Sequence, residues 1–287
     1  MMQVVALNEI VLPRAMQLLY HFRESSLFLL NNLREHGPRR MHHPNSGNFR
    51  CVVDGQENVR AVFCLANRGN LLAHGDPVED YTGLILEDIS DEAIPIRGFI
   101  GPWDIVNPLH QRYCEHHSEF MTTFNNREAL YTGSVLNRQK APANASVRLL
   151  TINDFAQWVT LNTAYLQEEN MPASVNEAER KLLFKEKTER KFWWGCFDGT
   201  QLVGIASINA HFEAIGQLGG LYTASAYRRK GVARALLNRI FNDAAVVHRM
   251  TTLSIFTGEK NAPAQALYEG SGFQRAGMFG MIFGQNR

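Results

Sequence analysis

Leu218-Gly-Gly-Leu-Tyr-Thr-Ala-Ser-Ala-Tyr-Arg-Arg-Lys-Gly-Val-Ala-Arg-Ala-Leu-Leu-Asn-Arg-Ile240 is the stretch from which the rest of the chain can be read. Its first part, through Thr223, reads as an apolar strand with small residues. From Val232 onward the apolar positions Val232, Leu236, Leu237 and Ile240 recur at helical spacing. Between the two lies a basic turn, Tyr227 to Ala233. A strand that feeds a glycine-containing turn and then a helix leaves several backbone N–H groups unpaired and pointing one way. The helix dipole adds partial positive charge there, so the turn suits a phosphate. Gly231 lets the backbone approach the anion, Ala233 keeps the helix start narrow, and Arg228, Arg229 and Lys230 attract it from a distance. Taken alone, the pattern also fits an ordinary basic corner.

A second pattern lies downstream: Asn261, Ala264, Leu267, Tyr268, Gly272 and Phe273, set behind one helix and one strand. The spacing Arg228-x-x-Gly231-x-Ala233 resembles the pyrophosphate signature of the GNAT acetyltransferase superfamily. The downstream segment resembles that family's Asn-x-x-Ala-x-x-Leu-Tyr-x-x-x-Gly-Phe pattern. The two stand in the family's order. The resemblance covers about residues 147–287 by motif and the first half only by element order. It implies an α/β (α+β) fold with a mixed central sheet flanked by helices, duplicated in tandem. Two domains are expected: residues 1–140, a degenerate copy, and residues 146–287, the catalytic copy.

Composition agrees with two soluble globular parts. The 287 residues are 45% hydrophobic and 20% charged, with a net charge of +1, which points to neither nucleic acid nor membrane as a partner. Residues 1–140 hold 13 Lys+Arg against 16 Asp+Glu, and residues 141–287 hold 16 against 12. The basic excess thus lies where a phosphate-bearing ligand is expected. No apolar run reaches the ~18–20 residues of a membrane span. No basic region precedes an apolar core at the amino terminus, so no export signal and a cytoplasmic location are expected. The four cysteines make neither a C-x-x-C pair nor zinc spacing, and adjacent histidines such as His116-His117 point apart. Free thiols and no metal are expected, with a Cys51–Cys64 disulfide as the lesser alternative.

In the first half, residues 12–34 predict one or two helices broken at Ser25-Ser26. Phe49–Val53, Val59–Ala66 and Leu71–His74 predict a meander of three strands. Tyr81–Ile89 is ambiguous, and Ile96–Ile100 reads as a strand. Asn107-Pro108 reads as a cap and first residue of a helix to about Phe120, and Ala129–Leu136 as a closing strand. The order echoes the second half, so a copy with its chemistry lost is expected; an unrelated α+β module is the alternative. Residues 137–146 read as the linker. In the second half Val147–Thr151 reads as a strand, with Asp154 capping the helix that follows. Glu177–Lys191 reads as a charged helix, Phe192–Asn209 as a hairpin, and Ala214–Thr223 as the third strand. Thr252–Thr257 reads as a buried strand, and Arg275–Phe283 as the close of this half's sheet.

The resemblance implies transfer of acetyl from acetyl-CoA directly to an amine. Backbone amides of Arg229 to Arg234, Val232 among them, would bind the pyrophosphate, and Asn261 would contact the cofactor arm. Backbone groups at Leu221, Tyr222 and Thr223 would pair with pantetheine where the third strand splays away. The Gly219-Gly220 pair is consistent with a bulge there, and one N–H would stabilise the oxyanion. Tyr268 matches the general-acid tyrosine. The ammonium must lose a proton before it attacks. The family's glutamate position holds Gln217, which cannot act as a base. Glu213 has the same strand parity and is the replacement if no bulge intervenes; a water relay or the Glu168-Glu169 loop are the other candidates. By resemblance Tyr165, Glu168 and Glu169 could border the acceptor, although exposed helix-end charges are the simpler reading. The partners expected are acetyl-CoA and an amine on a small molecule or protein, with homodimerisation open. The alternatives are an acyltransferase using a longer acyl-CoA and a CoA-binding regulatory protein whose activity has decayed.

Overall fold

The computed structural model describes residues 1–77, 80–136, 146–171 and 176–287. The expected linker, apart from Ser146, therefore lies outside the described residues. The chain divides into two units: Met1–Leu130 with Ala276–Arg287, and Tyr131–Arg275.

The first unit runs β1 (Gln3–Ala6), α1 (Leu12–His21), α2 (Leu27–His36), β2 (Gly47–Val53), β3 (Val59–Ala66), β4 (Asn70–Gly75), α3 (Thr82–Ser90), β5 (Gly98–Pro102), α4 (Trp103–His116) and β6 (Phe120–Ser134). The expected break between α1 and α2 holds the buried Ser26, whose hydroxyl donates to the Leu19 carbonyl at 2.6 Å. The ambiguous segment is helical because Ile85 and Ile89, four apart, share a buried face. One expectation is corrected: α4 opens at Trp103, so Pro108 is its sixth residue and not its first. Asn-Pro imitates a helix start, but here the ring costs one in-helix bond to the Asp104 carbonyl. Burial of Ile105, Val106 and Leu109 holds the helix through it.

β1 to β4 pair antiparallel and β4 pairs β5 in parallel. Beyond β5 stands the chain's last strand, Gln274–Asn286, and then β6. The expectation that Arg275–Phe283 closes the second half's sheet is thus corrected, for Ala276 onward belongs to the first unit. There Phe279, Met281 and Phe283 pair antiparallel with Pro102, Ile100 and Gly98. The reason is fit. Phe279 and Ile282 are buried, and a Cβ on Gly280, Gly98 or Gly284 would run into Val106, Phe283 or Phe120. All four cysteines are free, and burial pushes the Cys51 and Cys64 thiols up to about 12.

The second unit repeats the order: β7 (Val147–Leu149), α5 (Phe155–Glu168), α6 (Glu177–Glu189), β8 (Trp193–Asp198), β9 (Gln201–Phe212), β10 (Ile215–Thr223), α7 (Val232–Val246), β11 (Thr252–Gly258) and α8 (Ala262–Glu269). The last strand is therefore β12. β7 to β10 again pair antiparallel, β10 again pairs β11 in parallel, and residues 131–134 of β6 flank β11. The same order with the same pairing senses is a tandem duplication. Helices cover both faces. Trp158, Leu161 and Phe184 of α5 and α6 pack with Trp193, Leu202 and Ile205 on one face. On the other, Val232 and Leu236 of α7 fill the space a side chain at Gly204 would need. Asp154 does not cap α5 with its side chain. Its carboxylate accepts from Thr151 N–H at 2.8 Å and binds Arg148, which locks the turn before the helix.

Candidate active site

β10 carries the expected irregularity. Its register against β9 shifts between Gln217 and Leu218 and again between Gly219 and Tyr222. Gly220 sits at φ +59°, which favours glycine, and a Cβ on Gly219 would meet the Asn209 amide. Pairing with β11 ends at Leu218–Ile255. From Gly219 to Thr223, β10 is held on one side only, by β9. A split between two parallel strands is open there, with strand-edge groups at Leu221, Tyr222 and Thr223.

β10 leads through a short 3-10 turn, Ser225–Tyr227, into α7. Arg229 lies at φ +63° and Gly231 at φ +84°, so the backbone curls left-handed twice before the helix. Gly231 is the N-cap, and no side chain caps α7. Among the described residues no acceptor meets the N–H groups of Arg229, Lys230, Gly231, Val232, Ala233 and Arg234. Six donors in a row at the start of a 15-residue helix form an anion receptor.

The first unit treats the same corner in the opposite way. Asp80 accepts from the Thr82 N–H at 3.2 Å and the Thr82 hydroxyl at 2.7 Å, so a carboxylate already occupies the start of α3. β4 pairs with β5 only as far as Leu72–Ile100, although a Cβ on Gly101 would still overlap the Ala73 carbonyl.

The basic side chains of the second unit's turn do not all face one way. Arg228 folds back, donating to the Glu168 carboxylate at 2.5 Å and the Thr223 carbonyl at 3.2 Å. Tyr222 donates to the same Glu168 oxygen at 3.1 Å, and its ring lies 5.7 Å from that of Tyr165. The Arg228 guanidinium holds the Glu168 carboxyl below the usual carboxylate range, while burial pushes Glu169 above it. Two neighbouring carboxyls at the end of α5 are thus driven apart in acidity. Lys230 lies over the ring of Tyr227, whose hydroxyl donates to Asp198 at 3.1 Å.

Tyr268 lies on α8, 5% exposed, with the Tyr131 and Phe273 rings at 5.9 and 6.0 Å. Tyr131 in turn donates to Glu269 at 3.0 Å. Asn261 caps α8, accepting from the Ala264 N–H at 3.2 Å.

Glu213 is not where strand parity puts it. Phe212 pairs with Ile215, so Glu213 and Ala214 form the tip of the β9–β10 hairpin, with Glu213 exposed at φ +48°. Eight residues at about 3.3 Å each set it up to about 26 Å along the strand from Leu221, at the closed end. The reading assumed that Glu213 extends the strand, whereas the chain reverses there. Gln217 is 2% exposed; its amide nitrogen donates to the Leu218 carbonyl at 2.5 Å. Ser254, beside it on β11, escaped the sequence reading because a lone serine in an apolar strand carries no motif.

Comparison with known proteins agrees with this geometry. Residues 156–273 match the model of the acetyltransferase (GNAT) family. The protein described as uncharacterized N-acetyltransferase YsnE of Bacillus subtilis is 31% identical over 84 residues, 29% of this chain and 55% of that protein. The chain thus spans about half the length of that relative. A Drosophila protein of known structure superposes with a TM-score of 0.72 at 13% identity, covering 98% of each chain. A GCN5-related N-acetyltransferase from Sphaerobacter thermophilus gives 0.62 at 15% identity, covering 98% of this chain and 94% of that one. At such identity the two structures establish the fold alone. Within the second unit, residues 156–273 carry the GNAT-family match. Among the described residues no helix is long and apolar enough to cross a membrane, and no group of three or more His, Cys, Asp or Glu is placed to hold a metal ion.

Proposed function

We propose that the second unit transfers an acetyl group from acetyl-CoA to an amine of a small molecule or protein, in the cytoplasm. The observation that carries this reading is the run of six unpaired N–H groups from Arg229 to Arg234, set directly beyond the split after Leu218. The amides, with Arg229 and Lys230, bind the diphosphate. The edge of β10 at Leu221, Tyr222 and Thr223 pairs with the pantetheine amides, after Arg228 yields the Thr223 carbonyl. Asn261, its carbonyl engaged in capping, keeps an amide NH2 for the arm of the cofactor.

Acetyl-CoA supplies the thioester. A backbone N–H beside the Gly219-Gly220 bulge stabilises the oxyanion as the amine nitrogen bonds to the carbonyl carbon. The carbon–sulfur bond then breaks, and the Tyr268 hydroxyl gives its proton to the departing sulfur. The proton lost by the amine goes to Glu169, whose carboxyl burial pushes above the usual carboxylate range, and not to Glu213. Calorimetry with CoA, followed by thiol release with a panel of amines, tests the reading; a chain without affinity for CoA refutes it. A second reading, a CoA-binding protein without turnover, is favoured by Gln217 in place of a carboxylate. It predicts CoA binding with no thiol release from any amine.

A further inference from the structure

Three clusters of polar side chains have no part in the proposed transfer. In the first unit Ser25 Oγ meets His74 Nε2 at 2.8 Å, but the same hydroxyl reaches the Phe22 carbonyl at 3.2 Å, so the pair ties down the turn between α1 and α2. His110 Nε2 meets Thr122 Oγ1 at 2.8 Å and Cys114 Sγ at 3.3 Å, where burial keeps the thiol protonated and the imidazole neutral. The third cluster, Glu168 with Tyr222 and Arg228, is different, because it lies across the open edge of β10.

The Ala224 N–H donates to the Val203 carbonyl on β9 at 2.9 Å. In a trans peptide the N–H and the C=O point opposite ways. The Thr223 carbonyl, in the same peptide, therefore faces away from β9 and into the split, where β11 has already parted from β10. That carbonyl is taken. Arg228, at the end of the short turn, reaches back five residues, and its Nε donates to it at 3.2 Å. The other end of the guanidinium, Nη2, donates at 2.5 Å to Oε2 of Glu168, the last residue of α5. Tyr222 donates to the same oxygen at 3.1 Å, and the guanidinium lies over its ring at 5.6 Å. One guanidinium thus ties the end of α5 to the edge of β10. The Glu168 carboxyl is held low and the Arg228 guanidinium high by this contact. Yet the two side chains keep 42% and 46% of their surface in water, so the pair is weak enough to open.

We infer that the Arg228–Glu168 pair is an autoinhibitory latch, which holds the Thr223 carbonyl shut until an N–H of the cofactor arm displaces the guanidinium. The inference rests on the acetyl-transfer reading and adds a control to its cofactor step. The latch and the arm compete for one acceptor. A ligand with a diphosphate and no arm meets the amides of Arg229 to Arg234 and leaves the latch closed. A ligand with the arm opens it and releases Glu168 and Tyr222. The end of α5 therefore changes its contacts only when the arm is seated.

The test uses the full chain with two probes, CoA and ADP, the second carrying a diphosphate without the arm. Calorimetry is run near physiological ionic strength, where charges more than about 8 Å apart are screened. Glu168→Gln keeps the shape of the side chain and removes its charge. It should tighten CoA by about two- to fivefold, the worth of an exposed ion pair, and leave affinity for ADP unchanged. Glu168→Ala should do the same, with thermal unfolding to show that both variants are folded. A second readout needs no variant: NMR of the Arg228 side chain should show its Nε–H bound in the unliganded chain, still bound with ADP, and released with CoA. The inference is overturned if neither variant binds CoA more tightly than the wild type. It is overturned too if ADP gains as much as CoA, which is the mark of charge acting at a distance, or if the Nε–H stays bound with CoA in place. A chain that binds neither probe, as wild type or variant, removes the acetyl-transfer reading itself and the latch with it.

Discussion

Replacing Gly231 separates the anion receptor from the fold that carries it. Gly231 sits at φ +84° with nothing within 4 Å of a Cβ built there. Gly231→Ala therefore meets no clash and costs only the left-handed backbone, about 1–2 kcal/mol. For a unit of this size that lowers Tm by roughly 2–8 °C. Gly231→Glu has the same backbone cost but places a carboxylate at the start of α7. The dipole returns about 0.3–1 kcal/mol to the fold, so the Glu variant should unfold no lower than the Ala variant. Toward a diphosphate the sign reverses. Two like charges about 4 Å apart repel by about 4 kcal/mol at an effective dielectric of 20, and by nearer 1 kcal/mol where water screens them. Affinity for CoA should fall about ten- to a thousandfold in Gly231→Glu and by less than about threefold in Gly231→Ala. Calorimetry at low and high salt, alongside thermal unfolding, reads both quantities. If Gly231→Glu binds CoA as the wild type does, the diphosphate is not held by this turn.

Tyr268→Phe keeps the ring contacts with Tyr131 and Phe273 and should slow kcat by about a hundredfold or more with CoA affinity retained; unchanged turnover rules out the acid role. Isothermal titration should give one CoA per chain, because the Asp80 carboxylate already occupies the α3 corner of the first unit; a stoichiometry of two refutes this. Burial lowers His74 from 6.5 to about 4, so the folded chain holds it neutral while the unfolded chain protonates it. Its stability contribution is present above pH 6.5 and falls as pH drops toward 4, by roughly 3 kcal/mol. Denaturant unfolding across that range should show a slope that His74→Gln flattens; an unchanged slope refutes it.

Much of the second unit was legible because its signals are local. A turn with glycine at a left-handed position, a helix with apolar residues every three to four positions, and the Asp198-Gly199 hairpin each depend on neighbours a few residues away. The duplicated order was legible for the same reason, since strand and helix periods survive loss of chemistry. Where several residues had to act together across the fold, the reading failed. Pro108 imitated a helix start because the cap pattern looks the same whether or not a turn of helix precedes it. Glu213 kept its parity on paper, yet the hairpin turned two residues sooner. Asp154 sits at a helix start, but its carboxylate points back to Arg148 and Thr151.

The amino-acid order alone singled out the half proposed to hold a diphosphate, because the backbone donors, the glycine and the basic residues of that turn are contiguous. Only the tertiary structure decided that the final strand belongs to the first unit, that Glu168 meets Arg228 and Tyr222, and that Gln217 stands beside Ser254 with its oxygen unmet. Such pairings join residues tens to hundreds of positions apart. They are chosen by burial and by the space glycines leave, and neither quantity exists until the sheet has formed.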